Sequence, residues 1–204
     1  MDHRSLLKII GAGITGGYLA LRFRRPRKSY REFLTCYWAL SIDVLRELES
    51  CFIETMLPAL SPSHGPEFSK LLDENAEFLD KLKFFQQNLD EFDEFAIRAF
   101  TRFYSEKAKG NLALASHRKI PGLDFDTVAV AVQEAFYDLE SAFSYAIMAN
   151  AADDERAILK QKLATTNSLP EIITYCAENM PQFGSILFDG FASFESQVMR
   201  GREE

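Results

Sequence analysis

The chain has 204 residues, with 23 basic and 30 acidic side chains for a formal net charge of −7, and 47% of its residues are hydrophobic. Its charge is segregated: the first 31 residues hold eight Lys or Arg against Asp2 alone, which leaves fifteen basic and twenty-nine acidic residues in the remainder. A body that acidic excludes a nucleic-acid surface, which needs a basic face, and suits basic partner surfaces.

Residues 5–21 carry one charge, Lys8, and support two readings. Gly11, Gly13 and Gly16 match G-x-G-x-x-G after a short apolar run, as in flavin- and nicotinamide-binding folds. That motif needs a second strand about 20 residues on, with an acid for the ribose. The region in question is instead Arg-Phe-Arg-Arg-Pro-Arg-Lys from Arg22. Nothing downstream has βαβ alternation. The other reading is a membrane helix. Seventeen residues at about 1.5 Å each span roughly 26 Å, slightly short of the ~30 Å hydrocarbon core. Small residues recur every four positions, Gly13 and Gly17 on one line and Ala12, Gly16 and Ala20 on the next, which admits the backbone of a neighbouring helix. The membrane reading accounts for more residues and is preferred.

Arg22, Arg24, Arg25, Arg27, Lys28 and Arg31 follow without an intervening acid. They read as a stop-transfer signal and an anionic-headgroup contact that holds the body on the cytoplasmic or matrix side. No small-x-small cleavage site follows the apolar run, which argues against a secretory signal peptide; a cleaved mitochondrial presequence is the alternative for a basic, acid-poor segment, and the segment is taken as retained. The expected organisation is an anchor with its basic segment in residues 1–28 and an acidic helical domain in residues 29–204.

The first body helix is expected from about residue 30 to 57, opened by a capping box Ser29-x-x-Glu32 and ended by Pro58. Tyr37 and Trp38 near its start suit either the membrane interface or the core. Pro- and Gly-rich residues 58–66 read as a loop. Three-and-four spacing of apolar residues from Phe68 to Phe103 predicts one continuous helix over about 66–109, with Gly110 as its C′ residue. Residues 111–123 read as an irregular connection closed by Pro121-Gly122. A helix capped by Asp124 or Asp126 runs to about Ala151 and, being apolar on most sides, is placed centrally. A shorter helix follows from Asp153 or Asp154 to about Thr165. The last begins at a capping box Ser168-x-x-Glu171, breaks near Met180, and resumes to about Arg200 with residues 201–204 frayed. The predicted fold is all-α: a single N-terminal transmembrane helix, then an antiparallel bundle of about four long helices plus a short one.

Little in the sequence speaks of chemistry. His3, His64 and His117 have no partner at metal-ligand spacing, and no nucleophile elbow, P-loop or zincin motif occurs. Asp90, Glu91, Asp93 and Glu94 read as a solvated or partner-facing acidic patch, since neither E-x-x-H nor an EF-hand loop accompanies them. Cys36, Cys51 and Cys176 form no C-x-x-C and read as buried, reduced thiols. The 18 phenylalanines read as ordinary core in preference to a lipid or quinone pocket.

One span, a basic junction and an acidic helical body resemble in outline the supernumerary subunits of mitochondrial respiratory complexes and ATP synthases. That layout implies a non-catalytic accessory subunit of the mitochondrial inner membrane, its bulk in the matrix. Its partners would be larger protein subunits and membrane lipids, including anionic lipid, with no cofactor. The alternatives are a flavin- or nicotinamide-binding protein using Gly11, Gly13 and Gly16, and a free-standing scaffold on a membrane surface. A bacterial inner membrane would give the same charge pattern.

Overall fold

The computed structural model describes residues 27–203 apart from 75, 107, 108 and 167. Among these the chain is all-α, with nine helices and no strand. The long helix α1 (Arg27–Met56) forms because Phe33, Cys36, Leu40, Val44, Leu48, Phe52 and Met56 recur every three or four residues and bury one continuous face. Burial of each large apolar side chain contributes roughly 1.5–3 kcal/mol. Pro58 ends the helix, as the sequence indicates, inside a 3₁₀ turn (Leu57–Ala59). The expected capping box does not open α1, because the helix already runs through Ser29 from Arg27.

The single helix expected over residues 66–109 is three: α2 (Gly65–Asp73), α3 (Phe78–Asn88) and α4 (Phe92–Glu106). The apolar spacing is real, with Phe68, Phe78, Leu82, Phe85, Leu89, Phe92, Ala96, Ala99, Phe100 and Phe103 all buried. Length explains the breaks. An unbroken helix of that span would reach about 65 Å, against roughly 45 Å for the thirty-residue α1, and its ends would have nothing to pack on. Acids mark both breaks. Asp73 and Glu74 oppose the negative end of α2, and Asp93 and Glu94 suit the positive start of α4. Buried Leu89 takes an extended conformation between α3 and α4.

Residues 111–123 are likewise not an irregular connection. Helix α5 (Lys109–Lys119) occupies most of them, and Gly110 lies inside it. Leu112, Ala113 and Ser116 form its buried face against α6, and His117, Arg118 and Lys119 suit its negative end. The true stop is Gly122, at φ 90°, a left-handed conformation that glycine adopts without penalty.

Helix α6 (Phe125–Asn150) matches its expected bounds and is capped by Asp124, whose carboxylate accepts a hydrogen bond from the Thr127 amide at 2.8 Å. It is the central element and packs on α1, α5, α7 and α9. Helix α7 (Glu155–Thr165) is capped by Asp154. Ser168 stands at the N-cap of α8 (Leu169–Asn179), but its side chain makes no cap hydrogen bond, so the capping box is not closed. The break at Met180 is present. Helix α9 continues to Glu203 where fraying from 201 was expected.

Five phenylalanines from five helices meet at the centre: Phe52 (α1), Phe78 (α3), Phe100 (α4), Phe143 (α6) and Phe191 (α9). Phe191 lies 5.2, 4.8, 5.8 and 5.1 Å between centroids from the other four in that order, and it meets all but Phe100 edge-on. Edge-to-face geometry sets the positive ring edge against the negative face and adds about 0.5–1.5 kcal/mol per pair beyond area burial. The rings fill one another's space, as expected of a core. Tyr37 also turns inward, its hydroxyl donating to Asp138 of α6, and Trp38 packs beside it half-buried.

Candidate functional site

The glycine motif Gly11, Gly13 and Gly16, the small-residue lines of Ala12, Gly13, Gly16, Gly17 and Ala20, and the bases Arg22, Arg24 and Arg25 lie outside the described residues. Arg27 and Lys28 fall in the first turn of α1. Arg31 is exposed one turn on. No helix among the described residues is long and apolar enough to cross a membrane.

Arg31 stands at the edge of an open groove of about 530 Å³. One wall is the start of α1, with Glu32, Thr35, Cys36 and Ala39. The other is Ile120 and Leu123, on either side of the Pro121-Gly122 turn between α5 and α6. The lining is mainly apolar, with polar groups at the α1 edge. Sequence reasoning missed Ile120 and Leu123 because their stretch was read as a connection. The available signal was two branched aliphatic residues bracketing a turn, which exposed loops seldom need. Leu114 of α5 and Phe125 at the start of α6 are 47% and 44% exposed, and the His117 ring lies 5.7 Å from that of Phe125.

The cations at this end have no described counter-ion. Arg31, Arg118 and Lys119 form no ion pair among the described residues, nor do Arg46, Lys160 and Lys162 elsewhere, whereas Lys70, Lys81, Lys83, Arg98, Arg102, Lys109 and Arg156 each do. The best-buried pair joins Lys81 of α3 to Glu49 of α1 at 2.7 Å, with side chains 12% and 24% exposed. Burial pushes the nearby Glu195 carboxyl up, and the charges of Glu77 and Glu49 add to it.

A second polar cluster lies in the seam between α1 and α6. Burial raises the Asp138 carboxyl above the usual range, and the hydrogen bond from Tyr37 draws it partly back. Burial also raises Glu134, one turn away, with a further push from the Asp138 charge. The Tyr37 hydroxyl is itself raised, by burial first and then by Asp138. The Tyr37–Asp138 hydrogen bond ties α1 to α6. Tyr104 makes a longer one to Glu140, at 3.4 Å, and Lys109 meets the same oxygen at 3.4 Å.

Asp90, Glu91, Asp93 and Glu94 are all exposed, and Glu94 pairs with Arg98. Among the described residues no group of three His, Cys, Asp or Glu side chains is placed to hold a metal ion. Cys36, Cys51 and Cys176 are buried and unbridged. Burial lifts the Cys36 thiol to about 11, and burial with the Glu155 charge lifts Cys176 to about 12. His64 keeps its Nδ1 buried without a hydrogen-bond partner among the described residues, its ring 6.4 Å from Phe84. No family model, curated protein or solved structure matches this chain.

Proposed function

We propose that the protein is a non-catalytic accessory subunit of a multi-subunit inner-membrane assembly, of the kind formed by mitochondrial respiratory complexes or ATP synthase. Residues 5–21 serve as its single membrane span and the helical body stands on the matrix side. The observation that carries this reading is the seventeen-residue stretch with one charge, followed by Arg22, Arg24, Arg25, Arg27, Lys28 and Arg31. The line of Gly13 and Gly17 and its neighbour of Ala12, Gly16 and Ala20 suit close packing on a protein helix better than on lipid. The strongly acidic body supports docking on basic subunit surfaces.

The test is carbonate washing of membranes followed by native gel migration in mild detergent. The protein should stay with the membrane and co-migrate with an assembly far larger than its own 23.2 kDa. Release by carbonate together with a bound chromophore would instead favour a dinucleotide site at Gly11, Gly13 and Gly16. Retention with migration as a small free species would favour a stand-alone tether. Either result overturns the subunit assignment.

A further inference from the structure

We propose that α2 and α3 form a strap over the phenylalanine cluster that lifts as one unit, clasped by the Lys81–Glu49 pair and loosened by the carboxylate charge of Glu195 beside that clasp. The inference stands apart from the membrane reading. Both ends of the strap are joints. Upstream, the 3₁₀ turns Leu57–Ala59 and Pro62–His64 flank an extended Leu60, and Pro58, Pro62 and Pro66 withdraw backbone donors from that stretch. Downstream, Leu89 is extended between α3 and α4. The long helices are bound chiefly to one another, α1 to α4, α6 and α9, and α6 to α9, whereas α2 packs mainly on the Pro62–His64 turn and on α3, and α3 mainly on α2 and α9. Local opening is cheapest where an element has few neighbours and a joint on either side.

Few side chains hold the strap down. Phe78 sets its ring edge-on to Phe52 and Phe191, at 5.8 and 4.8 Å between centroids. Phe68 and Phe85 meet at 4.8 Å, so α2 rides on α3. Gln86 lies against Gly184 of α9, and Lys81 reaches Glu49 of α1 at 2.7 Å. Two features oppose these contacts. His64, at the upstream joint, keeps its Nδ1 buried without a hydrogen-bond partner among the described residues, and lifting the strap recovers that desolvation cost. The clasp also gathers more acid than base. The charges of Glu77, at the N-cap of α3, and of Glu49 act on Glu195 of α9, so three carboxylates collect where Lys81 supplies one ammonium. Burial first, and then those two charges, raise the Glu195 carboxyl. A carboxyl raised in the closed state binds its proton more tightly there, so the strap is held on the acid side and gives way as pH climbs through the raised value.

The experiment is hydrogen exchange of the full chain in mild detergent, read by mass spectrometry on peptides of α3 and α6 at mildly acidic and mildly alkaline pH, with intrinsic rates divided out. The α3 amides should exchange faster than those of α6, and that excess should grow as pH rises. Lys81→Gln leaves Glu49 facing the other carboxylates unpaired, and should raise α3 exchange about tenfold with α6 unchanged. Glu195→Gln keeps the shape of the side chain without its charge. It should slow α3 exchange at alkaline pH and remove the pH dependence of the excess, and it decides the matter even if Lys81→Gln does not fold. A common exchange rate for α3 and α6 would mean that the strap lifts only when the whole bundle unfolds, and would overturn the proposal. An excess that keeps its pH dependence in Glu195→Gln would overturn it as well.

Discussion

Gly190 of α9 lies so close to Phe143 of α6 that a methyl group at position 190 would come within 2.7 Å of two ring carbons. Glycine elsewhere in a helix is a cost of roughly 1 kcal/mol against alanine. Here its missing side chain lets Phe143 enter the five-ring cluster beside Phe191. Gly190→Ala should therefore destabilise the fold by about 1–3 kcal/mol despite the better helix propensity, as expected for overpacking. Urea denaturation checks this, and a gain in stability would show that the ring has room to retreat. Gly184 provides the control. Its added methyl would meet only the end of the flexible Gln86 side chain, so Gly184→Ala should be neutral or mildly stabilising.

Stability should rise on mild acidification. The folded state holds Asp138, Glu134 and Glu195 above their ordinary values, burial being the first cause in each. A carboxyl raised on folding contributes stability that is complete below its unfolded pKa of about 4 and is lost as pH climbs through the folded value. Melting temperature should therefore fall from the mildly acidic range toward neutrality. Asp138→Asn and Glu134→Gln should each flatten that slope. Tyr37→Phe should steepen it, because the lost hydrogen bond is what lowers Asp138, and should cost about 1–2 kcal/mol at neutral pH. A pH-independent melting temperature in Tyr37→Phe would contradict the assignment.

The thiols should be inert in the native protein. With Cys36 raised to about 11 and Cys176 to about 12, almost no thiolate exists at neutral pH, and both side chains are buried. Iodoacetamide should label neither until denaturant is added. Prompt native labelling of Cys36 would mean that the groove opens further than its described walls.

Within the proposed span, Gly13→Ile with Gly17→Ile should leave carbonate resistance intact, since the segment becomes more apolar. It should reduce co-migration with the large assembly, because the smooth face is lost. Unchanged co-migration would place the subunit contacts on the body instead.

The helices that were legible in the sequence are those whose signals agree at every level. In α6, Asp124 supplies a cap, the apolar residues encircle the helix, and Pro121-Gly122 blocks extension upstream. In α7, Asp154 and Thr165 bracket the element as expected. The breaks at Glu74 and Leu89 were hidden because apolar periodicity passes through them unbroken, and only the finite length of α1 decides that the chain must fold back. Helix α5 was hidden for the opposite reason. Gly110 resembles a terminator, and the buried Leu112, Ala113 and Ser116 make too narrow a face to announce a helix before α6 is there to receive it. The groove inherits that blindness, since one wall belongs to the misread stretch.

Helix α1 runs thirty residues without a joint and packs along its length on α6, α4 and α9. Its pairing of Lys81 with Glu49 and of Arg102 with Glu54 fastens its far half to α3 and α4. It therefore acts as a keel. A torque applied where the chain arrives at Arg27 is carried through about 45 Å of unbroken rod into the phenylalanine cluster, and the whole body must lean with it.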